Sequence, residues 1–427
     1  MDSALAIHVD RLYLGAMGLT SRRFLLAIVL TFSCGGASDR VRNATVERDS
    51  AGIVLVENAG PYEEWQVEAS STTRIGVVEG ESAYQFHRIA FAGRMSDGRI
   101  VVANGGTSEI RWFDASGDYQ STLGRQGQGP GEFETLGSVL LTPSDTLIVH
   151  DPRNQRVTWI APNGVIAREE LAAGLSSGAV TVLGSTAPGT LALAISAPTY
   201  DVSHPDVSYT RDTLSVVRIG AAGVDSLLRV AGQEGALWVR YADGRPAAMQ
   251  QMGLPFAHPL LVGGSGPHLL IGRSEAQQLE ILDSNAVLRR IARRLDEPVR
   301  LLTDQDRAAY VSRAVEAAHA RGQANTTALE KGLADLLAVV PEGHTMPSFD
   351  RLLVDMEGRV WMRDYTPQGT VDLDQTWTVY QPDGHIRSRV AVPASITVMH
   401  AGRGYVTGVA RDSLDVEYVV VHAIKER

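Results

Sequence analysis

The sequence predicts an all-β protein, a six-bladed β-propeller with a short helical insertion and an N-terminal signal segment. A unit of turn, strand, turn and strand recurs six times, and its short spacings of about 45 residues match one four-stranded blade. Gly is abundant, at 42 of 427 residues, and short apolar runs alternate with Gly, Asp, Asn and Ser. The hydrophobic fraction of 44% is sufficient for a sizeable core.

The clearest copy of the unit spans residues 97–117. A turn containing Gly98 precedes a strand at 100–102, and a second strand follows at 109–113. Glycine supplies the backbone freedom of a tight turn, and the strands are rich in β-branched and aromatic residues. The six copies begin near positions 98, 145, 189, 267, 358 and 404.

Two of the spacings between copies are too long for one blade and require insertions. The segment 303–340 is predicted to be a helical hairpin, because a capping-box pattern at 303–306 precedes apolar residues at helical spacing. The other insertion, roughly 224–265, has no clean period.

The glycine-rich run at 123–133, Leu-Gly-Arg-Gln-Gly-Gln-Gly-Pro-Gly-Glu-Phe, carries a family resemblance. Together with the strands at 147–151 and 154–157, it resembles the NHL repeat over about 45 residues. The whole chain resembles the bacterial six-bladed β-propeller lipoproteins related to NHL-repeat proteins, which implies an NHL- or TolB-like ring. No helix and no Lys-Ser/Thr pair follows the run, so we interpret it as a connection between blades rather than a phosphate loop.

The sixth copy lacks an outer strand, because the chain ends after its second recognisable strand. The edges of a sheet must be covered, so we expect an N-terminal strand to close the ring. Strand 65–75, with Trp65 as its anchor, is predicted to pair with the last blade near 417–423.

Residues 1–33 are predicted to be a signal peptide. A nine-residue apolar run at 24–32 follows Arg22 and Arg23, and is too short to span a bilayer as a helix. Met17 is an alternative start that would give a compact signal of ordinary length. The chain is therefore expected to be exported.

Cys34 is the only cysteine and directly follows the apolar run. Its position resembles that of the lipidated cysteine of bacterial lipoproteins, which implies a palmitate-bearing anchor and a tether over 34–50. Gly35, by the same resemblance, favours the outer membrane over other membranes of the cell envelope. A plain cleaved signal with an incidental cysteine and an uncleaved anchor remain as alternatives.

Composition disfavours several classes of function. The net charge is −10 and no basic cluster stands out, which disfavours a nucleic-acid partner. One cysteine cannot form an internal disulfide or a multi-cysteine zinc site. The sequence contains no H-E-x-x-H motif.

We therefore expect a monomeric binding module in the periplasm or cell envelope, whose partner is a protein, peptide or glycan. A metal-dependent propeller hydrolase or lyase with a site in the central channel is the alternative, and a purely structural envelope protein is a third hypothesis. No cofactor is predicted, although a channel Ca or Zn stays open.

Polar residues at strand ends are the candidates for binding in the central channel. They are Asn104, His150, Asp151, Arg273, Arg363 and Asp364. The alternative interpretation is that these side chains bond to nearby backbone in turns.

Overall fold

A computed structural model describes residues 45–172, 179–197, 200, 202, 206–221, 223–367 and 373–426. The predicted signal peptide and Cys34 lie outside these residues. The described chain begins with three strands that join blades formed much later in the sequence. They are β1 (Val46–Ser50), β2 (Ile53–Asn58) and β3 (Glu63–Ile75), and we call them the N-terminal belt.

Blades I and II are four-stranded antiparallel sheets in which consecutive strands pair. Their strands are β4 (Ile89–Arg94), β5 (Ile100–Asn104), β6 (Glu109–Phe113), β7 (Tyr119–Leu123), β8 (Ser138–Leu141), β9 (Leu147–Asp151), β10 (Arg156–Ile160) and β11 (Ile166–Leu171). The second strands β5 and β9 are buried at every residue, because neighbouring blades cover both of their faces.

Blade III has five strands, and its third and fourth strands are unusually long. Its strands are β12 (Ala179–Gly184), β13 (Leu191–Ala197), β14 (Asp206–Gly220), β15 (Gly223–Ala242) and β16 (Arg245–Met252). The insertion at roughly 224–265, which has no clean period in the sequence, thus contains most of β15 and the additional edge strand β16.

Blades IV, V and VI complete the ring. Their strands are β17 (Leu260–Ser265), β18 (His268–Arg273), β19 (Gln278–Leu282), β20 (Leu288–Arg294), β21 (Phe349–Val354), β22 (Val360–Asp364), β23 (Gln375–Tyr380), β24 (Ile386–Val392), β25 (Ile396–Gly402), β26 (Tyr405–Arg411) and β27 (Glu417–Glu426). The first strands of successive blades contact one another in the cyclic order β4, β8, β12, β17, β21, β25 and back to β4. The fold is therefore a closed six-bladed β-propeller, as predicted.

The N-terminal belt joins the outer edges of three blades. Strand β2 runs parallel to β20 of blade IV, and the start of β3 runs parallel to β24 of blade V. The rest of β3 pairs antiparallel with β27, with Ile75 opposite Val419, and supplies the missing outer strand of blade VI. Trp65 is only 3% exposed. The predicted closure and its anchor are confirmed.

The predicted tether extends too far. Residues Val46–Ser50 form β1, which pairs with β2 in an antiparallel hairpin. All five residues are exposed and four are polar or charged, so their composition is that of a linker although backbone pairing makes them a strand. The ordered domain therefore begins before residue 51.

The insertion between blades IV and V contains two helices, α1 (Asp304–Ala320) and α2 (Thr327–Ala338), as predicted. The Thr303 side chain accepts the Asp306 amide and Asp306 bonds back to the Thr303 amide, which completes a capping box. The helices pack on Phe256 and Met346 through Tyr310 and Leu333. Neither helix in the described part of the chain is long and apolar enough to cross a membrane.

Candidate functional site

The polar residues predicted for the channel end the second strand of their blade. Asn104, Asp151, Arg273 and Asp364 are the last residues of β5, β9, β18 and β22. The first strand of each blade, not the second, lines the central channel, and none of the six candidates is on the wall of the channel cavity. Asn104, His150, Asp151, Arg273, Arg363 and Asp364 therefore do not line this cavity, and a binding role for them stays a prediction.

Asp151 is 1% exposed and organises the glycine-rich connection between β7 and β8. Its Oδ1 accepts the Arg153 and Asn154 amides, both at 3.1 Å. Its Oδ2 accepts the Glu134 amide at 2.7 Å and Asn154 Nδ2 at 2.9 Å. The carboxylate thus fixes two backbone segments of blade II, which supports the turn interpretation.

Asn104 occupies the equivalent position in blade I. Its Oδ1 accepts the His87 amide at 2.9 Å, and its Nδ2 donates to Thr107 at 2.9 Å. His150, beside Asp151, is 3% exposed, and burial lowers its pKa despite the opposing effect of the Asp151 charge. His150 is therefore neutral near pH 7.

The three charged candidates in blades IV and V are engaged in ion pairs. Arg273 Nε donates to Glu280 at 2.5 Å, and Arg363 Nε donates to Asp350 at 2.6 Å. Asp364 Oδ1 accepts a hydrogen bond from Arg294 Nη1 at 3.1 Å, and Asp364 Oδ2 accepts one from Arg389 Nη2. These contacts join strands within and between blades IV and V.

The six first strands instead enclose a cavity of about 350 Å³ in the central channel. Most of its wall is aliphatic or glycine, including Val139, Leu183, Val262 and Leu353. Such a cavity favours an apolar ligand group over a fully hydrated one.

Arg351 of β21 is the one permanently charged residue among those that line this cavity. Its neighbour Asp350 is engaged by Arg363, and no described carboxylate forms an ion pair with Arg351. Burial and the nearby Arg363 charge lower the pKa of Arg351, but a guanidinium remains protonated in proteins. A guanidinium without a carboxylate partner is suited to a carboxylate or another planar anion.

His400 of β25 lines the same cavity and is 5% exposed. Its Nδ1 accepts the Arg94 amide at 3.4 Å, which places the proton of the neutral ring on Nε2. That Nε2 has no hydrogen-bond partner within the described chain. Burial lowers the pKa of His400 to about 4, so the ring presents a neutral donor.

The repeat pattern does not point to Arg351 and His400, because it is carried by the second and third strands of each blade. The first strands have weaker patterns. The one signal for Arg351 in the sequence is its charge beside the apolar run 352–354, upstream of the copy that begins near 358.

One group of three His, Cys, Asp or Glu side chains within the described residues has the spacing of a metal site, and it lies outside the channel. It consists of Glu234 in β15, His258 before β17 and His344 before β21, all buried. Burial alone would raise the pKa of Glu234, but hydrogen bonds from the His258 side chain and backbone outweigh that effect and hold it at about 2. Glu234 is therefore a carboxylate at neutral pH.

Comparisons with known proteins agree with the fold. The family DUF5128, a 6-bladed beta-propeller, matches residues 87–157. Among curated proteins, none matches this chain in sequence.

Solved structures are similar at low identity. A member of the duf4221 family from Bacteroides vulgatus has a TM-score of 0.46 and 10% identity, covering 86% of this chain and 100% of that one. Virginiamycin B lyase from Staphylococcus aureus has a TM-score of 0.38 and 8% identity, covering 84% and 99%.

Proposed function

We propose that this chain is a binding module of the cell envelope, exported and held there by a lipid on Cys34. Its central channel takes a ligand group that combines an acidic function with an apolar neighbour. Of the partners expected from the sequence, a peptide with a free C-terminal carboxylate and an apolar last residue fits this chemistry best.

The observation that carries the proposal is Arg351, which has no described carboxylate partner and lies on the wall of a cavity lined mainly by aliphatic residues and glycines. A guanidinium can hold a carboxylate through two parallel hydrogen bonds, and the attraction is stronger where water is excluded. The neutral His400 ring has a buried Nε2 donor without a partner, which would bond a second ligand oxygen once the side chain turns toward the cavity. The aliphatic wall then accommodates the apolar group beside the acid.

The proposed location in the cell is argued from the N-terminal sequence. A basic pair, a short apolar run and Cys34 support export and lipidation, and Gly35 supports the outer membrane. The membrane contact would be made through the lipid, leaving the ring free to bind its partner.

The test is isothermal titration of the purified protein with a hexapeptide that ends in leucine, compared with the same peptide carrying a C-terminal amide. We expect the free carboxylate to bind at least about tenfold more tightly, since the amide loses the charge-assisted contact. Arg351→Gln should remove that preference.

The matched control is Arg245→Gln, which replaces an exposed arginine of β16 far from the channel strands in the sheet order. It should bind like the unaltered protein. Equal affinity for acid and amide, no binding of either peptide, or unchanged binding by Arg351→Gln would each overturn the proposal.

A further inference from the structure

The two insertions that interrupt the repeat meet in three dimensions. Glu234 lies in the extended strand of blade III, His258 in the segment leading into blade IV, and His344 after the helical hairpin. These three residues are 6%, 5% and 8% exposed, respectively. One carboxylate and two imidazoles from separate segments therefore lie together at one buried position.

The donor atoms of this cluster are spaced as ligands of one metal ion. His258 Nδ1 lies 3.3 Å from Glu234 Oε2, and His344 Nε2 lies 3.7 Å from the same oxygen. Neighbouring ligands of a tetrahedral zinc ion are about 3.3 Å apart at ordinary bond lengths. Two imidazoles and one carboxylate are a donor set that suits zinc.

The outer contacts of His258 and Glu234 are those expected around a metal ligand. His258 Nε2 lies 2.9 Å from the Thr345 carbonyl and 3.0 Å from the Thr345 hydroxyl. With zinc bound, Nε2 would donate to that carbonyl and leave Nδ1, which faces Glu234, free to coordinate. Tyr209 donates its hydroxyl to Glu234 Oε1 at 3.0 Å, which leaves Oε2 directed at both histidines. Both ligands are thereby held in one orientation.

A fourth oxygen stands beside the cluster. The Phe256 carbonyl lies 2.9 Å from His344 Nε2. Phe256 is a bulky residue at a φ of +58°, a left-handed conformation that costs free energy and is concentrated at functional sites. In the metal-free structure this carbonyl accepts the His344 Nε2 proton, and it would become available as a fourth ligand once that proton moves to Nδ1.

Comparison with blade VI separates this cluster from an ordinary contact between blades. Glu417 also accepts a backbone amide from the next blade, that of Ile89, at 2.8 Å. Its other oxygen takes Arg411 and no histidine. An ion pair with arginine is therefore sufficient to hold such a carboxylate. Glu234 has a comparable neighbour, Arg211 at 4.0 Å, but in addition faces two stacked histidine rings whose centroids are 4.0 Å apart.

We propose that Glu234, His258 and His344 bind one zinc ion, with the Phe256 carbonyl as the fourth ligand. His344 would carry its proton on Nδ1 in the bound state, so that Nε2 is free to coordinate. The closed, buried site is structural rather than catalytic, and it fastens the helical hairpin to blades III and IV. This inference is independent of ligand binding in the channel.

The experiment measures zinc bound per chain after the purified protein is stripped with a chelator, incubated with Zn²⁺ and dialysed. We expect one zinc per chain, and a Tm that falls when the chelator is added, because a metal bound only by the folded state stabilises it. Glu234→Gln should weaken zinc binding at least about tenfold.

The decisive variant is His344→Gln, because its amide can still donate to the Phe256 carbonyl but cannot replace the imidazole ligand. It should lose the zinc and the response of Tm to chelator. Loss of zinc in a chain with an unaltered circular dichroism spectrum excludes simple misfolding.

His422→Gln is the matched control. His422 is also buried, at 5% exposure, and its Nδ1 lies 2.8 Å from the Glu68 carbonyl, but it is remote from the cluster in sequence. It should keep one zinc per chain. Less than about a tenth of a zinc in the unaltered protein, or full retention by His344→Gln, would refute the site.

Discussion

Buried carboxylates and amides at strand ends hold the turns of the blades in place. Asp151 accepts four hydrogen bonds, and Asn104 makes the equivalent contact in blade I. Groups of this kind carry little signal in a single sequence, because a polar residue after a strand has the same appearance whether it bonds to backbone or to a ligand. Only their partners show which role they have.

Asp151→Ala should destabilise the ring by about 3 kcal/mol, because it leaves buried amide donors of two backbone segments without an acceptor. The measurement is the free energy of unfolding in urea. Asp118→Ala, at an exposed turn position, is the control and should change that free energy by less than about 0.5 kcal/mol. A stable Asp151→Ala protein would mean that the carboxylate is not needed for folding and would reopen a functional role.

His400 predicts how stability depends on pH. The unfolded chain takes up a proton near the ordinary pKa of 6.5, but the folded chain does so only near a pKa of about 4. Between these values the unfolded state binds more protons, so the free energy of unfolding falls as pH falls from 6.5 to 4. The slope from this residue is at most ~1.4 kcal/mol per pH unit, and it disappears below pH 4.

His400→Gln should flatten this part of the stability profile, measured by urea unfolding at intervals between pH 7 and pH 4. His319→Gln, at an exposed site near the end of α1, should leave the profile unchanged. An identical slope in His400→Gln would show that the ring is not buried as neutral imidazole.

At the scale of elements, β3 is the strand on which two blades depend. Its first residues pair with β24 and the remainder pairs with β27, so one strand belongs to two sheets. Trp65 packs in the same core cluster as Trp361 and Trp377, which are fully buried. An element in this position couples the stability of blades V and VI.

Trp65→Ala should lower the free energy of unfolding by about 3–5 kcal/mol, since it leaves a cavity between two blades. The loss should appear in one cooperative transition, monitored by circular dichroism at increasing denaturant. Val46→Ala, on the exposed strand β1, provides the comparison and should have little effect. A separate early transition of blade VI would contradict the coupling.

The elements also show why the fold was easier to predict than the site. The second strands β5 and β9 are buried at every residue, so their apolar pattern stands out in the sequence. First strands line the channel and have looser constraints, which concealed Arg351 and His400. Phe256 and His344, in contact but 88 positions apart, belong to two insertions whose meeting no local pattern indicates.

At the scale of the whole molecule, the ring is closed by segments from opposite ends of the sequence. Thr72 in the N-terminal belt donates to the Val421 carbonyl, 349 positions later. Asn58 is fully buried, and its amide bonds the Gly384 carbonyl of blade V at 3.0 Å. Contacts of such long separation make folding slow relative to that of local structures.

Strands β2 and β3 of the N-terminal belt are synthesised long before the blade strands that they pair with. A chain is synthesised from its N-terminus, so β2 and β3 emerge first, while their partners β20, β24 and β27 emerge late or last. Until then these strands have open edges, which are prone to aggregation and attract proteases and chaperones. A prematurely terminated chain would keep those edges permanently. Incomplete copies would therefore be exposed to removal, because both edges of β3 are covered only after β24 and β27 have been made.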